Sequence, residues 1–168
     1  MHSVLRCGLV RTTDSRVEVE WEGAAWGGID RRKHPDYVIG VPPYHMGFTT
    51  SAVNFNGQEQ WNGEEIYCEL LERTTVVRDT RYAANGFGLW QMSGNVWEWC
   101  CSVFVAVIAD RDQPTKETNV SDDRSLRGGS WIDVARVCRC SSRYRYVAEN
   151  RYNVDGFRLS RTRIPFSS

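Results

Sequence analysis

Lysine is almost missing from this chain: two lysines stand against nineteen arginines in 168 residues. A protein that meets its partners through solvated point charges would not be built this way; arginine's planar fork suits fixed, hydrogen-bonded and stacked roles. Histidine is also scarce, and the three present (2, 34 and 45) lie too far apart for a metal constellation. Six cysteines (7, 68, 100, 101, 138 and 140) include no C-x-x-C and no paired histidines, which excludes a zinc site of the usual spacing. No apolar run is long enough to span a membrane. The opening residues Met1–Arg6 contain no apolar stretch of the signal-peptide kind, so a reducing, cytoplasmic setting is the default expectation. Net charge is zero, and no repeat or low-complexity tract appears.

What the chain does have is concentrated between Asn85 and Trp99, in the string NGFGLWQMSGNVWEW. Glycines at 86, 88 and 94 imply a backbone that turns repeatedly. Phe87, Leu89, Trp90, Trp97 and Trp99 carry enough apolar area to place the segment in the core. Val96-Trp97-Glu98-Trp99 alternates at period two, so a strand here sets both tryptophans on one face and Glu98 on the other. Glu98, in a bent backbone rich in carbonyls, either takes a hard cation such as calcium or pairs with an arginine.

Charge is uneven. Residues 124–168 hold ten arginines against Asp133, Glu149 and Asp155, leaving the first 123 residues with the compensating negative excess. A basic third can mark a nucleic-acid binder. In a loop-rich fold the simpler use is internal, each guanidinium tying acids and carbonyls of the other two thirds, and no nucleic-acid partner is expected.

Along the chain, residues 1–16 read as a poorly ordered segment, 17–163 as one folded domain and 164–168 as a tail. Trp21, Ala24 and Ala25 fall at helical spacing ahead of Gly27-Gly28, which predicts a short helix from Val17. Residues 29–52 are loop-like. Glu64–Arg73 is spaced for a helical turn, and Thr74–Val77 is β-branched and reads as a short strand. Val96–Ile108 is the longest apolar run and the best strand. Ser125–Trp131 is read as entering a strand through a glycine pair, and Gly156–Ser160 as closing the sheet.

GFGLWQMSGNVWEW, SLRGGSW at 125–131 and GFRLS at 156–160 together closely resemble the formylglycine-generating enzyme (sulfatase-modifying factor) family. The resemblance implies an α+β domain of C-type lectin-like fold: a small twisted antiparallel sheet in much irregular backbone. It also implies a substantial N-terminal portion before the Trp21 helix, of which little is present, so the expectation is either an N-terminally shortened domain or a fragment whose missing strands come from elsewhere.

The resemblance makes definite chemical demands. The family's oxidases bind copper(I) through two cysteines separated by four residues, shortly after the Gly-Gly-Ser-aromatic motif; soft thiolates suit that ion. Counting from Gly128-Gly129-Ser130-Trp131, the first position falls on Asp133 and the second on Cys138, whereas anchoring on the later match at Arg139 to Arg143 moves the second off Cys138; on either count a thiolate is missing and copper is not expected. Cys138 and Cys140, two apart, would share a face if they stood on a strand. For structural calcium, the positions matched to the family are Gln91, Gly94, Val96 and Glu98 at one site, and Asn54, Phe55, Glu69 and Leu71 at a second.

Residues 132–155 resemble something more specific. Arg136, Cys138, Arg139, Ser141, Ser142, Arg143, Arg145, Asn150 and Arg151 look like a framework. Between its members lie Ile132, Asp133, Val134, Val137, Tyr144, Tyr146, Val147, Tyr152, Asn153 and Val154, without helix or strand logic in their spacing. The pattern resembles the variable region of proteins diversified by retroelements, in which adenine-rich codons are mutated; these residue types are reachable from asparagine codons. Tyrosine recurs as it does in paratopes, where it gives large contact at low entropic cost. The expectation is a non-catalytic protein displaying 132–155 to a protein or glycan ligand. The alternatives are a copper-dependent oxidase of substrate cysteines and a plain non-catalytic structural member of the family. Arg127, Arg143 and Arg158 are expected to be structural.

Overall fold

The alternation around Trp97 is where the architecture begins. In the computed structural model, which describes residues 17–28, 53–58, 70–106 and 123–159, the alternating segment is strand β1, Trp97–Val103. β2 (Asp123–Arg127), β3 (Arg143–Val147) and the two-residue β4 (Asp155–Gly156) join it in one sheet of order β3-β2-β1-β4. β1, β2 and β3 run antiparallel, and β4 lies parallel to β1 with Trp97 opposite Asp155. The helix α1, Val17–Ala25, packs on one side of the sheet and ends just ahead of Gly27-Gly28, as the spacing of Trp21, Ala24 and Ala25 predicts.

Residues opposite one another in register share a face. Glu98, Arg127 and Arg143 are aligned across β1, β2 and β3, and so are Trp99, Leu126 and Tyr144. The sheet therefore has a charged face, with Glu98, Cys100, Ser102, Ser125, Arg127 and Arg143, and an aromatic face, with Trp97, Trp99, Leu126, Tyr144, Tyr146 and Asp155. The predicted split of the tryptophans from Glu98 holds. The more deeply covered face is the charged one: Glu98, Cys100 and Ser102 are all buried, under α1, while Trp99 is only half-buried.

Two apolar clusters are present among the described residues. Trp21, Met92 and Cys100 meet under α1, with Leu89 against them. Val53, Phe55, Ala135 and Cys138 form the other. The turn 91–96 stitches them together. Asn95 N–H donates to the Asn54 carbonyl (2.7 Å), Gly94 N–H donates to the Gly128 carbonyl (2.7 Å), and the Asn95 carboxamide holds Thr75 from both sides. Gly94 has a φ of 77°, and a Cβ there would stand 2.4 Å from the Asn54 carbonyl oxygen, so the position admits no side chain.

Several expectations need correction. Thr74–Val77 is not a strand: no strand among the described residues pairs with it, Thr75 bonds to Asn95 instead, and Val76 is 73% exposed. Residues 70–73 are not helical; 64–69 lie outside the described residues. β1 stops at Val103, beyond a register shift against β2, and Ile108 lies outside the described residues. The glycine pair 128–129 ends β2 rather than starting a strand, both residues having positive φ, and Trp131 stands in a turn. β4 covers only Asp155–Gly156, with Ser160 outside the described residues. Phe87 lies outside the core, 60% exposed. Residues 1–16 and 164–168 lie outside the described residues.

Candidate functional site

The region 131–155 is built from a turn, a strand and a crossing loop. Trp131–Ser141 is a run of turns, so Cys138 and Cys140 do not share a strand face. Cys138 is fully buried, its Sγ toward the Ser130 carbonyl (3.7 Å). A Cβ at Gly129 would come within 2.6 Å of that sulfur, which locks the turn against the glycine pair. Asp133, at the first copper position by count, closes the same turn: its Oδ2 accepts from the Ser130 N–H (2.9 Å) and hydroxyl. Among the described residues no group of three or more His, Cys, Asp or Glu could hold a metal.

From the turn the chain enters β3, Arg-Tyr-Arg-Tyr-Val, and here the earlier reading of spacing without strand logic is wrong. Arg143 and Arg145 take the charged face; Tyr144 and Tyr146 take the aromatic one. β3 and β4 are opposite edges of the sheet, so residues 148–154 cross between them. The crossing loop lays Tyr152 against Tyr146, and its Val154 carbonyl accepts from Trp97 N–H (2.8 Å). The outcome is a continuous run of rings: Trp97–Tyr144 at 5.6 Å between centroids, Tyr144–Tyr146 at 5.0 Å edge to face, Tyr146–Tyr152 at 5.2 Å. Edge-to-face contact is the favoured geometry at such distances. A hydrogen bond to Tyr144, aided by burial and the neighbouring phenols, pushes the Tyr146 hydroxyl up to about 12.

None of the ten positions singled out from the sequence is buried; Ile132, Tyr144, Tyr152 and Asn153 are exposed and the rest half-buried. The framework between them is mixed. Ala135 and Cys138 are buried, whereas Arg136, Arg145 and Arg151 are exposed. The structure gathers Tyr144, Tyr146 and Tyr152 and sets Ile132, Asp133, Val134 and Val137 on the separate turn. It adds two residues that sequence reasoning left out of the site, Trp97 and Asp155. Both carboxylate oxygens of Asp155 are shielded from solvent and no side chain among the described residues bonds to them; burial raises its pKa above the ordinary 3.8, against a smaller lowering pull from the Tyr152 backbone amide. The one hint in the sequence was an isolated acid in an arginine-rich third.

The opposite face holds its charges in pairs. Arg143 donates to both oxygens of Glu18 (2.6 and 3.0 Å), and Ser125 adds a third bond (2.8 Å). Burial alone would raise the Glu18 carboxyl; the bonds from Arg143 and Ser125 and the charges of Arg143 and Arg127 more than reverse it, leaving it below 4.5. Arg127, 0% exposed, reaches Glu22 (2.6 Å) and the Ser142 carbonyl (2.8 Å), with its guanidinium 5.3 Å from the Trp21 ring centre. Arg158 grips Glu98 (2.6–3.1 Å) and the Trp90 carbonyl (2.8 Å), and Trp21 Nε1 donates to the same carboxylate (2.7 Å). The arginine reading of Glu98 is what the structure contains.

That pairing decides how each set of calcium positions fits. At Gln91, Gly94, Val96 and Glu98, the acid already has a cation on it, and the Gly94 carbonyl accepts from Val96 N–H (2.9 Å), so these residues as they stand do not fit a calcium ion. At the second set Glu69 lies outside the described residues, but Asn54 is suggestive. It is 2% exposed, its Nδ2 donates to the Arg73 carbonyl and to Asn95, and its Oδ1 has no partner. A buried, unpartnered carboxamide oxygen beside Phe55 fits a hard cation.

The chain matches the model of the sulfatase-modifying factor enzyme 1-like domain over residues 16–163. It is 31% identical over 146 residues to a formylglycine-generating enzyme of Streptomyces coelicolor, covering 83% of this chain and 41% of that protein. With an inactive C-alpha-formylglycine-generating enzyme 2 of Bos taurus it shares 45% identity over 122 residues, 71% of this chain and 32% of the relative. Among solved structures, Treponema denticola variable protein 1 superimposes with a TM-score of 0.60 at 26% identity, covering 84% of this chain and 44% of that one. The chain thus spans less than half the length of these relatives. The mixed α+β, C-type lectin-like architecture expected from the motifs is the observed one.

Proposed function

The chain belongs to the sulfatase-modifying factor enzyme 1-like family, and on that premise we propose that it is a non-catalytic ligand-binding protein displaying residues 132–155 as a variable surface. The observation that carries this reading is that every suspected variable position is accessible on a region anchored from beneath. All ten suspected variable positions reach the surface, while Arg127, Ala135 and Cys138, which hold that region in place, are buried. Variation at the first group, Asp133 excepted because it closes the turn at Ser130, leaves the frame intact; variation at the second would break it. The likeness to a variable protein of Treponema denticola supports the reading, as does the kinship with a relative named inactive. Asp133 weighs against the oxidase alternative, because a carboxylate engaged by Ser130 stands where the copper pair needs a thiolate.

Sequencing the gene across a population of its source tests the proposal. Substitutions gathered on codons 132–134, 137, 144, 146, 147 and 152–154, with Arg139, Arg143 and residues 156–159 constant, are the expected result. A uniform region would overturn it and leave a plain structural member of the family.

Calcium forms a subsidiary part of the proposal, at the second set of positions only. Asn54 Oδ1, the Phe55 and Leu71 carbonyls and Glu69 would hold it, and its contribution would be to pin loops together. Chelation with EDTA should lower the unfolding midpoint of the wild-type chain and leave Glu69→Gln unmoved; equal midpoints with and without EDTA in wild type would exclude it.

A further inference from the structure

The aromatic face has a charge that no side chain among the described residues answers. Asp155 lies opposite Trp97 in register, on the same face as Tyr144 and Tyr146, and both its oxygens are shielded and unpartnered. Desolvating a carboxylate without a partner is costly, and proteins ordinarily avoid it by pairing. The guanidinia of the sheet are engaged elsewhere: Arg143 with Glu18, Arg127 with Glu22, Arg158 with Glu98, Arg145 with Asp123 (3.4 Å), and Arg124, on the aromatic face, with the Cys101 carbonyl (2.8 Å). Beside the acid stand Trp97 and the three tyrosines, with Tyr144 47% and Tyr152 51% exposed. Ring faces of tryptophan and tyrosine attract cations, most strongly where water is excluded.

We propose that this face is a receptor for a cationic side chain, lysine or arginine, of a protein ligand, its charge held between the tyrosine rings and the Asp155 carboxylate. The inference rests on the reading of 132–155 as a binding surface and supplies the chemistry of what it binds. A glycan is the weaker match. Its hydroxyls would stack on the rings equally well, but a neutral hydroxyl leaves the shielded carboxylate without a counter-charge, whereas a cation neutralises it on arrival.

The test uses the full chain carrying ring-labelled tyrosine and follows the ring resonances by NMR. Acetyl-lysine methylamide is titrated against its neutral analogue, acetyl-norleucine methylamide, and against methyl glucoside and methyl mannoside. Saturable shifts with the lysine compound are expected, with the norleucine compound binding at least tenfold more weakly and Asp155→Asn weakening lysine binding by a similar factor. Equal binding of the two amides, saturation by a glycoside instead, or an unchanged affinity in D155N would each overturn the proposal. Should D155N fail to fold, Tyr152→Ala at the exposed end of the ring series replaces it, with a several-fold loss expected and no loss counting against. The outcome separates from that of population sequencing. Varied codons without lysine binding would remove the cationic specificity alone, and uniform codons with saturable lysine binding would remove only the variability.

Discussion

The two faces of the sheet are built from the same strands and use charge in opposite ways. Under α1, Glu18, Glu22 and Glu98 each meet an arginine within 2.6 Å, and the most buried of those arginines also lies over a tryptophan. On the other side Asp155 has no partner, and the apolar surface around it is aromatic and half-open. Core logic would lead one to expect the reverse, with aromatics inward and ions outward. The difference marks a division of labour. A buried ion pair is an indifferent source of net stability, but removing one partner is severe, so such pairs fix geometry. Half-exposed tyrosines contribute little to folding and are available for contact.

The largest effect expected from this contrast is at Arg127. Arg127→Ala leaves Glu22 and the Ser142 carbonyl without their donor and should cost about 3–5 kcal/mol, comparable with the whole stability of a small domain. Urea denaturation of the variant measures it, and a loss below about 1 kcal/mol would show that the charged face is not the frame. Next is Gly94→Ala, where a Cβ would meet a backbone oxygen at 2.4 Å and φ is positive; on the order of 2–3 kcal/mol is expected by the same method. Truncating Tyr144, Tyr146 and Tyr152 together to alanine should cost about 2 kcal/mol, since three ring contacts are lost and, with two of the rings half-exposed, each counts toward the low end of about 0.5–1.5 kcal/mol. Ligand binding should be abolished. Circular dichroism showing an unfolded triple variant would place the tyrosines in the core and erase the distinction between the faces.

How much of this was readable in advance follows from the range of the interactions. α1 was legible because Trp21, Ala24, Ala25 and the two glycines lie within one local window. β1 was legible because period two in Trp97–Glu98–Trp99 is local as well. That the arginines turn inward followed from the charge imbalance, although not which acid each would meet, for Arg143 and Glu18 lie 125 positions apart. β3 was hidden because both its faces are polar in composition: arginine alternating with tyrosine carries no apolar signal, and only the register across β2 shows that the arginine side is covered. Thr74–Val77 misled for the opposite reason, a local propensity with no partner strand. Asp155 showed only as an isolated acid in an arginine-rich third, since an orphan is defined by what the other side chains are doing.

The smallest expected effect is also the one that bears most directly on the comparison, because the two faces should answer pH with opposite signs. Glu18 has a folded-state pKa below its ordinary 4.5. Its ionised form stabilises the fold, so that contribution is present above pH 4.5 and is lost as pH falls through the lowered value. Asp155 has a folded-state pKa above 3.8. Its protonated form suits the fold, so the stability tied to it is whole below pH 3.8 and is lost as pH rises through the raised value. Glu18→Gln should therefore match wild type in acid and fall behind it above pH 4.5. Asp155→Asn should match wild type below pH 3.8 and exceed it at neutral pH. Unfolding midpoints of the three proteins between pH 3 and pH 7 measure both differences. Parallel curves for wild type and D155N would mean that the carboxylate has found a partner on folding. Divergence with D155N the more stable would mean that the wild-type chain carries an unneutralised charge on its open face, which a cationic ligand would relieve.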